Sequence, residues 1–175
     1  MITIRNPKEC QALTVIAEQA LTVGQLVKLI QSTGSIGDPC MVDAPLVADY
    51  KDTTIELGVV YFVPDDDEAV DFIVNSNNNS LTVNTDPDNV TVIPAGAHCT
   101  FWFDRPIIGY TANGFSASAG VDMALTAREG SKIAFNTNDH LLDIYNAADT
   151  DVSDVYMGVV YRNDGAELTV LFSAL

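Results

Sequence analysis

The stretch VADYKDTTIELGVVY, residues 47–61, returns one hundred residues later as AADTDVSDVYMGVVY, residues 147–161. Each copy carries an Ala-Asp pair and ends in Gly-Val-Val-Tyr. A glycine just before a valine pair suits a β-bulge or a close approach of a neighbouring backbone. The echo therefore indicates two similar β units in one chain.

The similarity extends upstream of both copies. Asp43 matches Asp143, and ALTVGQLVKL at 20–29 resembles ALTAREGSKIAF at 124–135 with two residues inserted before the glycine. PAGAHCTFWF at 94–103 offers a third glycine-then-strand element. These matches predict an internal repeat over 13–66 and 118–175, with 67–117 as an insertion.

The fold class follows from short apolar runs of four to eight residues separated by Gly, Pro, Asn and Asp. Turn signals fall between them at about the 8–12-residue spacing of sandwiches and barrels. We predict a mainly β protein: a compact β-sandwich or barrel-like domain over 13–175, built from two similar β units, with at most short helices. An N-terminal arm over 1–12 precedes it.

The charge balance excludes several partners. Eight basic and 24 acidic residues give a net charge of −16, which repels nucleic-acid phosphates, because such affinity comes from Lys and Arg. The longest strongly apolar run, LGVVYFVP, falls short of the ~20 residues of a membrane helix. We expect no nucleic acid and no membrane among the partners.

The charge is also uneven. Residues 1–28 carry three basic and two acidic side chains, whereas all others carry five and 22. Two interpretations stay open: an arm that docks on another protein, or a first strand that pairs with the sheet. The first makes Ile2, Ile4, Arg5 and Lys8 candidate contact residues.

Metal binding has weak support. Counting from Asp65 in the acidic run 65–68, the sixth and twelfth positions lack the Gly and Glu of an EF-hand loop, so we predict a solvated turn or helix cap. The motifs DPD at 86–88 and DTDVSD at 149–154 could meet Ca²⁺, but Asx turns explain them equally well. We expect neither a metal nor a cofactor.

Catalytic patterns are missing too. Cys10, Cys40 and Cys99 are odd in number and widely spaced, which favours a reducing compartment over a disulfide framework. His98 and His140 have no zinc-ligand spacing, and a Cys99–His140 nucleophilic pair has no supporting motif.

The serines at 116 and 118 form no nucleophile elbow, and the chain has neither a phosphate loop nor a dinucleotide fingerprint. We expect a protein that is not an enzyme. The aromatic run FWF at 101–103, near Tyr110 and Phe115, could line a sugar groove, but alternating aromatics more often fill a sheet.

The units ALTVGQLVKL, IPAGAHCTFWF and LTAREGSKIAF, each a small apolar segment, a glycine and a strand, combine with an Ala/Asp turn and a GVVY strand. Together they resemble the head decoration (cement) proteins of tailed bacteriophages, loosely over residues 13–172. The resemblance implies a β-rich, non-enzymatic protein that binds the major capsid protein on the outside of the virion and stabilises the shell. It also implies a homo-oligomer, with a trimer favoured, made in the host cytoplasm.

Two other functions remain as alternatives. A phage tail or head-fibre module would share the β build. A carbohydrate-binding β-sandwich would use FWF together with aspartate-bound Ca²⁺.

Overall fold

Strands dominate the computed structural model, which describes residues 2–32, 34, 36–61, 71–75, 80–84, 92–111, 115–116, 127–153, 155–173 and 175. The predicted mainly β class, with at most short helices, is confirmed, because a 3₁₀ helix at Val47–Lys51 is the one helix in these ranges. No helix there is long and apolar enough to cross a membrane. The strands are β1 (Ile2–Ile4), β2 (Gln11–Ala17), β3 (Leu21–Thr22), β4 (Leu26–Ile30), β5 (Met41–Asp43), β6 (Leu57–Tyr61), β7 (Asp71–Asn75), β8 (Ser80–Asn84), β9 (Val92–Ile93), β10 (His98–Phe103), β11 (Ile107–Tyr110), β12 (Lys132–Phe135), β13 (Leu142–Ile144), β14 (Gly158–Asn163) and β15 (Leu168–Phe172).

The first β unit is a closed barrel. Its strands follow the order β5-β4-β6-β10-β2, and every neighbouring pair in this order is antiparallel. The parallel pairing of β2 with β5, which places Ala17 opposite Val42, closes the ring. Closure leaves alternate side chains pointing into the barrel, where they form a core.

The second β unit repeats this order as β13-β12-β14-β15-β11. A parallel bridge between Phe115 and Leu142 takes the place of the Ala17–Val42 pairing. The Ser116 N–H donates to the Leu142 carbonyl at 2.9 Å, as the Glu18 N–H donates to Val42. The second unit lies in an eight-stranded sheet that β1, β8 and β7 extend beyond β11.

The registers of the two units agree residue by residue. Val27 lies opposite Gly58 and Ile133 lies opposite Gly158, as the alignment of ALTVGQLVKL with ALTAREGSKIAF requires. Asp43 pairs with Lys28, and Asp143 pairs with Ala134 at the corresponding place. The echo in the sequence is therefore a repeat of strand pairing as well as of residues.

The glycine before each first strand also repeats its role. Gly24 and Gly130 both have a positive φ, +89° and +84°, which a glycine adopts without steric cost. The Gly24 N–H donates to the Val60 carbonyl at 2.9 Å, and the Gly130 N–H donates to Val160 at 2.8 Å. Each glycine turns the chain so that its unit can close on the GVVY strand.

The bounds of the two units differ from the expected 13–66 and 118–175. β10 and β11 lie within 67–117, yet β10 completes the first barrel and β11 belongs to the second. The counterpart of β10 is β15, so PAGAHCTFWF corresponds to NDGAELTVLF at 163–172, with Gly96 and Gly165 both at positive φ. Between β6 and β10 the chain contains β7, β8 and β9, which the second unit lacks at that position.

Each unit has a set of buried side chains at equivalent positions of its five strands. In the first unit the set is Val15, Val27, Val42, Val60, Cys99 and Phe101, and in the second it is Tyr110, Ile133, Leu142, Val160, Leu168 and Val170.

The outer face of the first barrel is buried as well, because it packs against the second unit. Val59, Tyr61 and Trp102 join the same core cluster as Ile108 and Phe172. Strand β6 is consequently buried at all five of its positions. The two units share this cluster, whereas the interior of the first barrel forms a cluster of its own.

Candidate functional site

The N-terminal segment forms part of the sheet. β1 lies between β11 and β8, and Ile2 and Ile4 are 1% and 2% exposed. Arg5 forms an ion pair with Glu167, whereas Lys8 is exposed. The two isoleucines therefore pack in the core. Of the four candidate contact residues, only the two basic ones, Arg5 and Lys8, are accessible to a partner. A contact with a capsid stays a prediction.

The acidic motifs give no metal site within the described residues. The run at 65–68 and the DPD motif at 86–88 lie outside the described ranges. In the third motif, Asp149 and Asp151 are exposed, and the Asp149 carboxylate accepts the Asp151 N–H at 3.0 Å. This is the Asx-turn geometry that the sequence allowed, and the described parts of the chain hold no group of three His, Cys, Asp or Glu side chains that could bind a metal ion.

Cys99 and His140 have separate environments. Cys99 lies in the core of the first barrel, and burial raises the pKa of its thiol to about 11. His140 bonds through Nδ1 to the Tyr50 hydroxyl at 3.0 Å. No hydrogen bond joins the cysteine to the histidine in the described structure. A thiol with so high a pKa is a poor nucleophile at neutral pH.

His140 instead joins the two units. Tyr50 comes from the 3₁₀ helix of the first unit, and the carbonyl of His140 accepts the Leu26 N–H at 2.9 Å. Burial lowers the pKa of His140, although the charges of Asp139 and Asp43 oppose that shift. Burial therefore favours the neutral form of this imidazole at the contact between the units.

Ser116 is a structural residue in this arrangement. Its hydroxyl is buried and donates to the Asp139 carboxylate at 2.8 Å. Asp139 also accepts the Leu141 N–H at 3.1 Å. The serine and aspartate therefore fix the turn that precedes β13.

The sugar-groove interpretation of FWF is wrong, because these aromatic side chains belong to the cores. Phe101 is fully buried and Trp102 is 8% exposed. Phe103 stacks on Phe101 with 5.2 Å between ring centroids. Tyr110 and Phe115 are also buried, so the cluster offers no open aromatic surface to a ligand.

A partly buried ion pair distinguishes the first unit. The Lys28 ammonium lies 2.8 Å from the Asp49 carboxylate, which also accepts the Leu46 N–H at 2.6 Å. Burial alone would raise the pKa of Asp49, but the Lys28 and Leu46 hydrogen bonds and the Lys28 charge outweigh it and lower that pKa. The second unit has Ala134 where the first has Lys28, and Asp149 is exposed there.

An apolar surface that the residue patterns did not predict lies at the two repeated turns. Leu46 and Val47 are 66% and 64% exposed. Val47 and Ala48 face Ala147 and Ala148 of the other repeat across an open depression of about 660 Å³. We call these five residues the paired-turn surface. In the sequence, this surface was indicated by the similarity of VADY at 47–50 to AADT at 147–150.

The described residues form a mainly β protein that contains two similar five-stranded units. No family model matches the chain, and no curated protein matches it. Among solved structures, the chain is similar to the head fiber gp8.5 N base of bacteriophage phi29, at 12% sequence identity and a TM-score of 0.39. The alignment covers 94% of this chain and 95% of that chain.

Proposed function

We propose that this protein is a non-enzymatic structural component of a phage virion that binds the outside of the capsid and stabilises it. One observation carries the proposal: two of the three glycine-then-strand units behind the resemblance to decoration proteins, ALTVGQLVKL and LTAREGSKIAF, occupy equivalent places in the fold. Gly24 and Gly130 make the same hydrogen bond to the two GVVY strands. The internal repeat on which the resemblance rests is thus a repeat in three dimensions.

The physical properties of the surface support the same function. A cement protein needs a rigid body with complementary surface, and many identical sites on a shell add avidity to each weak contact. The shared core of the two β units supplies rigidity. The net charge of −16 keeps free copies from associating nonspecifically.

The proposed partner is the major capsid protein, and the proposed location is the outer capsid surface. Two accessible features are candidate contacts: the basic residues Arg5 and Lys8 near the N-terminus, and the paired-turn surface. Exposed apolar side chains that lie together are typical of interaction sites. We further propose a homo-oligomer, with a trimer favoured, which light scattering of the free protein measures.

The test mixes the purified protein with capsids that lack it and measures co-sedimentation. We expect saturable binding, with weaker binding of the Lys8→Glu and Val47→Asp variants. Arg128→Glu changes an exposed cation elsewhere and is the matched control. Failure of the native protein to sediment with any candidate capsid would contradict the proposal.

Electron microscopy of decorated particles separates the alternatives. Density spread over the capsid lattice supports a decoration protein, whereas density confined to a fibre base or the tail identifies a head-fibre or tail module.

A further inference from the structure

The outer edge of β11 in the second unit is covered by the chain's own N-terminus. β1 pairs with β11 in antiparallel register, with Ile2 opposite Tyr110 and Ile4 opposite Ile108. The Arg5 N–H donates to the Ile107 carbonyl at 2.7 Å. Under this cover, the Ile108 side chain is fully buried.

The equivalent strand of the first unit is β2. Leu13 lies opposite Phe101, as Ile108 lies opposite Val170, and Phe101 and Val170 are counterparts. Among the described strands, none pairs with the outer edge of β2 along residues 11–14. All four of these residues are exposed, and Leu13 is 41% exposed where its counterpart Ile108 is 0%. Within the described part of the chain, no strand covers the first unit as β1 covers the second.

The backbone of β2 is oriented to accept such a cover. The N–H groups of Ile16 and Glu18 point toward β5, and that of Ala17 points toward the β10 side, where it reaches the Ala97 carbonyl. Because backbone groups alternate along a strand, those of Ala12 and Thr14 point to the open edge. Their counterparts in β11 are Ile107 and Gly109, the residues opposite β1.

We infer that the open edge of β2, residues 11–14, binds an extended segment of another polypeptide as an added antiparallel strand. The segment carries apolar side chains at alternate positions, as Ile2 and Ile4 do, and one of them covers Leu13. Unpaired strand edges are templates for this mode of recognition. The β1 strand of a second copy is not available as the occupant, because β11 and β8 already pair with it on both sides. The identification of the segment with the capsid protein rests on the proposed function; the strand-acceptor site itself does not.

The site is tested first with a peptide. The probe is the octapeptide MITIRNPK, the sequence of residues 1–8, titrated into the ¹⁵N-labelled full chain. We expect saturable shifts of the Ala12 and Thr14 amide resonances. The same peptide with N-methyl groups on Thr3 and Arg5 cannot donate those hydrogen bonds and should lose the effect. Absence of saturable shifts at residues 11–14, or equal shifts with both peptides, overturns the inference.

A substitution in the edge provides the second test. Thr14→Pro removes one outward N–H and leaves the β10 ladder intact, since proline is tolerated where the N–H faces solvent. Thr14→Val keeps the N–H and is the matched control. We expect Thr14→Pro to abolish the peptide shifts and Thr14→Val to retain them, with both variants showing a native amide spectrum elsewhere.

Capsid binding then separates this inference from the proposed function. If the native protein and Thr14→Val bind capsids while Thr14→Pro does not, the capsid segment occupies the edge. If all three bind equally, the inference about the capsid segment is wrong and the proposed function stands. If none binds capsids but the peptide shifts are present, the proposed function fails and the strand-acceptor site stands. If the native protein is a dimer and only Thr14→Pro converts it to a monomer, the edge binds a second copy. That outcome contradicts the inference that another polypeptide binds there.

Discussion

Gly58 lies so close to Phe101 that a Cβ on the glycine would come within 2.5 Å of the phenyl ring, and within 2.5 Å of the Trp102 carbonyl oxygen. A Cβ on Gly158 would come equally close, 2.5 Å, to the Leu171 carbonyl oxygen. The neighbouring strand thus excludes any side chain at the first position of each GVVY. The same steric reason accounts for both glycines of the repeat.

We therefore expect Gly58→Ala and Gly158→Ala each to lower the free energy of unfolding by about 2 kcal/mol, the usual cost of overpacking a core. Chemical denaturation measures the loss. Gly96→Asn is the control, because a Cβ there meets nothing within 4 Å and asparagine tolerates positive φ. Equal stability of the alanine variants and the native protein would refute the steric explanation.

The Lys28–Asp49 ion pair predicts different costs for the two repeated aspartates. Asp49→Asn leaves a Lys28 ammonium whose side chain is 17% exposed without its counter-ion, and should cost about 2 kcal/mol of unfolding free energy. Asp149→Asn changes an exposed residue that can still accept its hydrogen bond, and should stay within about 0.5 kcal/mol. Similar losses of unfolding free energy at both positions would show that the Lys28–Asp49 ion pair does not stabilise the fold.

The partly buried His140 predicts a pH dependence of stability. Its pKa is lower in the folded protein than the roughly 6.5 of a histidine in an unfolded chain. Below that pH the unfolded state therefore binds a proton more readily than the folded state does. Stability contributed at neutral pH is therefore lost as the pH falls below about 6.5. His140 has a φ of +57°, which asparagine also adopts, so His140→Asn is the test variant. We expect the difference in unfolding free energy between native protein and variant to shrink as the pH falls from 7 to 5. A constant difference over that range contradicts the assignment.

The cysteines should separate by reactivity. Burial raises the pKa of the Cys10 and Cys99 thiols to about 11, so few thiolates form at pH 8. Alkylation of these two should run roughly 100-fold more slowly than that of an unperturbed thiol. Cys40 is exposed, and mass spectrometry should find it modified first. Fast modification of Cys99 in the folded protein would reopen its assignment as a nucleophile.

Removal of the N-terminus should affect the fold as well as any partner. Deleting residues 1–6 exposes the edge of β11 and removes two buried isoleucines, and Ile4→Ala alone should cost about 3 kcal/mol by leaving a cavity. Lys8→Ala, at an exposed side chain, is the control. An unchanged denaturation midpoint for the deletion protein would support a detached arm instead.

Residue patterns alone were sufficient for the β class and the repeat. Strand pairing requires alternating apolar residues, and a positive φ favours glycine. Both requirements act over a few neighbouring residues, so they can be recognised in a short stretch of sequence. The unit bounds were not readable in this way. β2 and β11 are equivalent strands, yet QALTV and PIIGY share no residue at equivalent positions, since a barrel strand needs only alternating apolar residues. β10 reaches β6 through hydrogen bonds across a long separation in the chain, which no local pattern encodes.

Tertiary structure decided which faces are exposed. The two GVVY segments are identical in sequence, yet Tyr61 is 4% exposed and Tyr161 is 66% exposed. The first strand packs its outer face on the second unit, whereas the second strand turns its tyrosine to solvent. The sequence by itself determined a mainly β chain with two similar units and glycine-led strands. Their packing, which depends on long-range contacts, determined that β2 keeps an open edge and that the N-terminal strand covers β11.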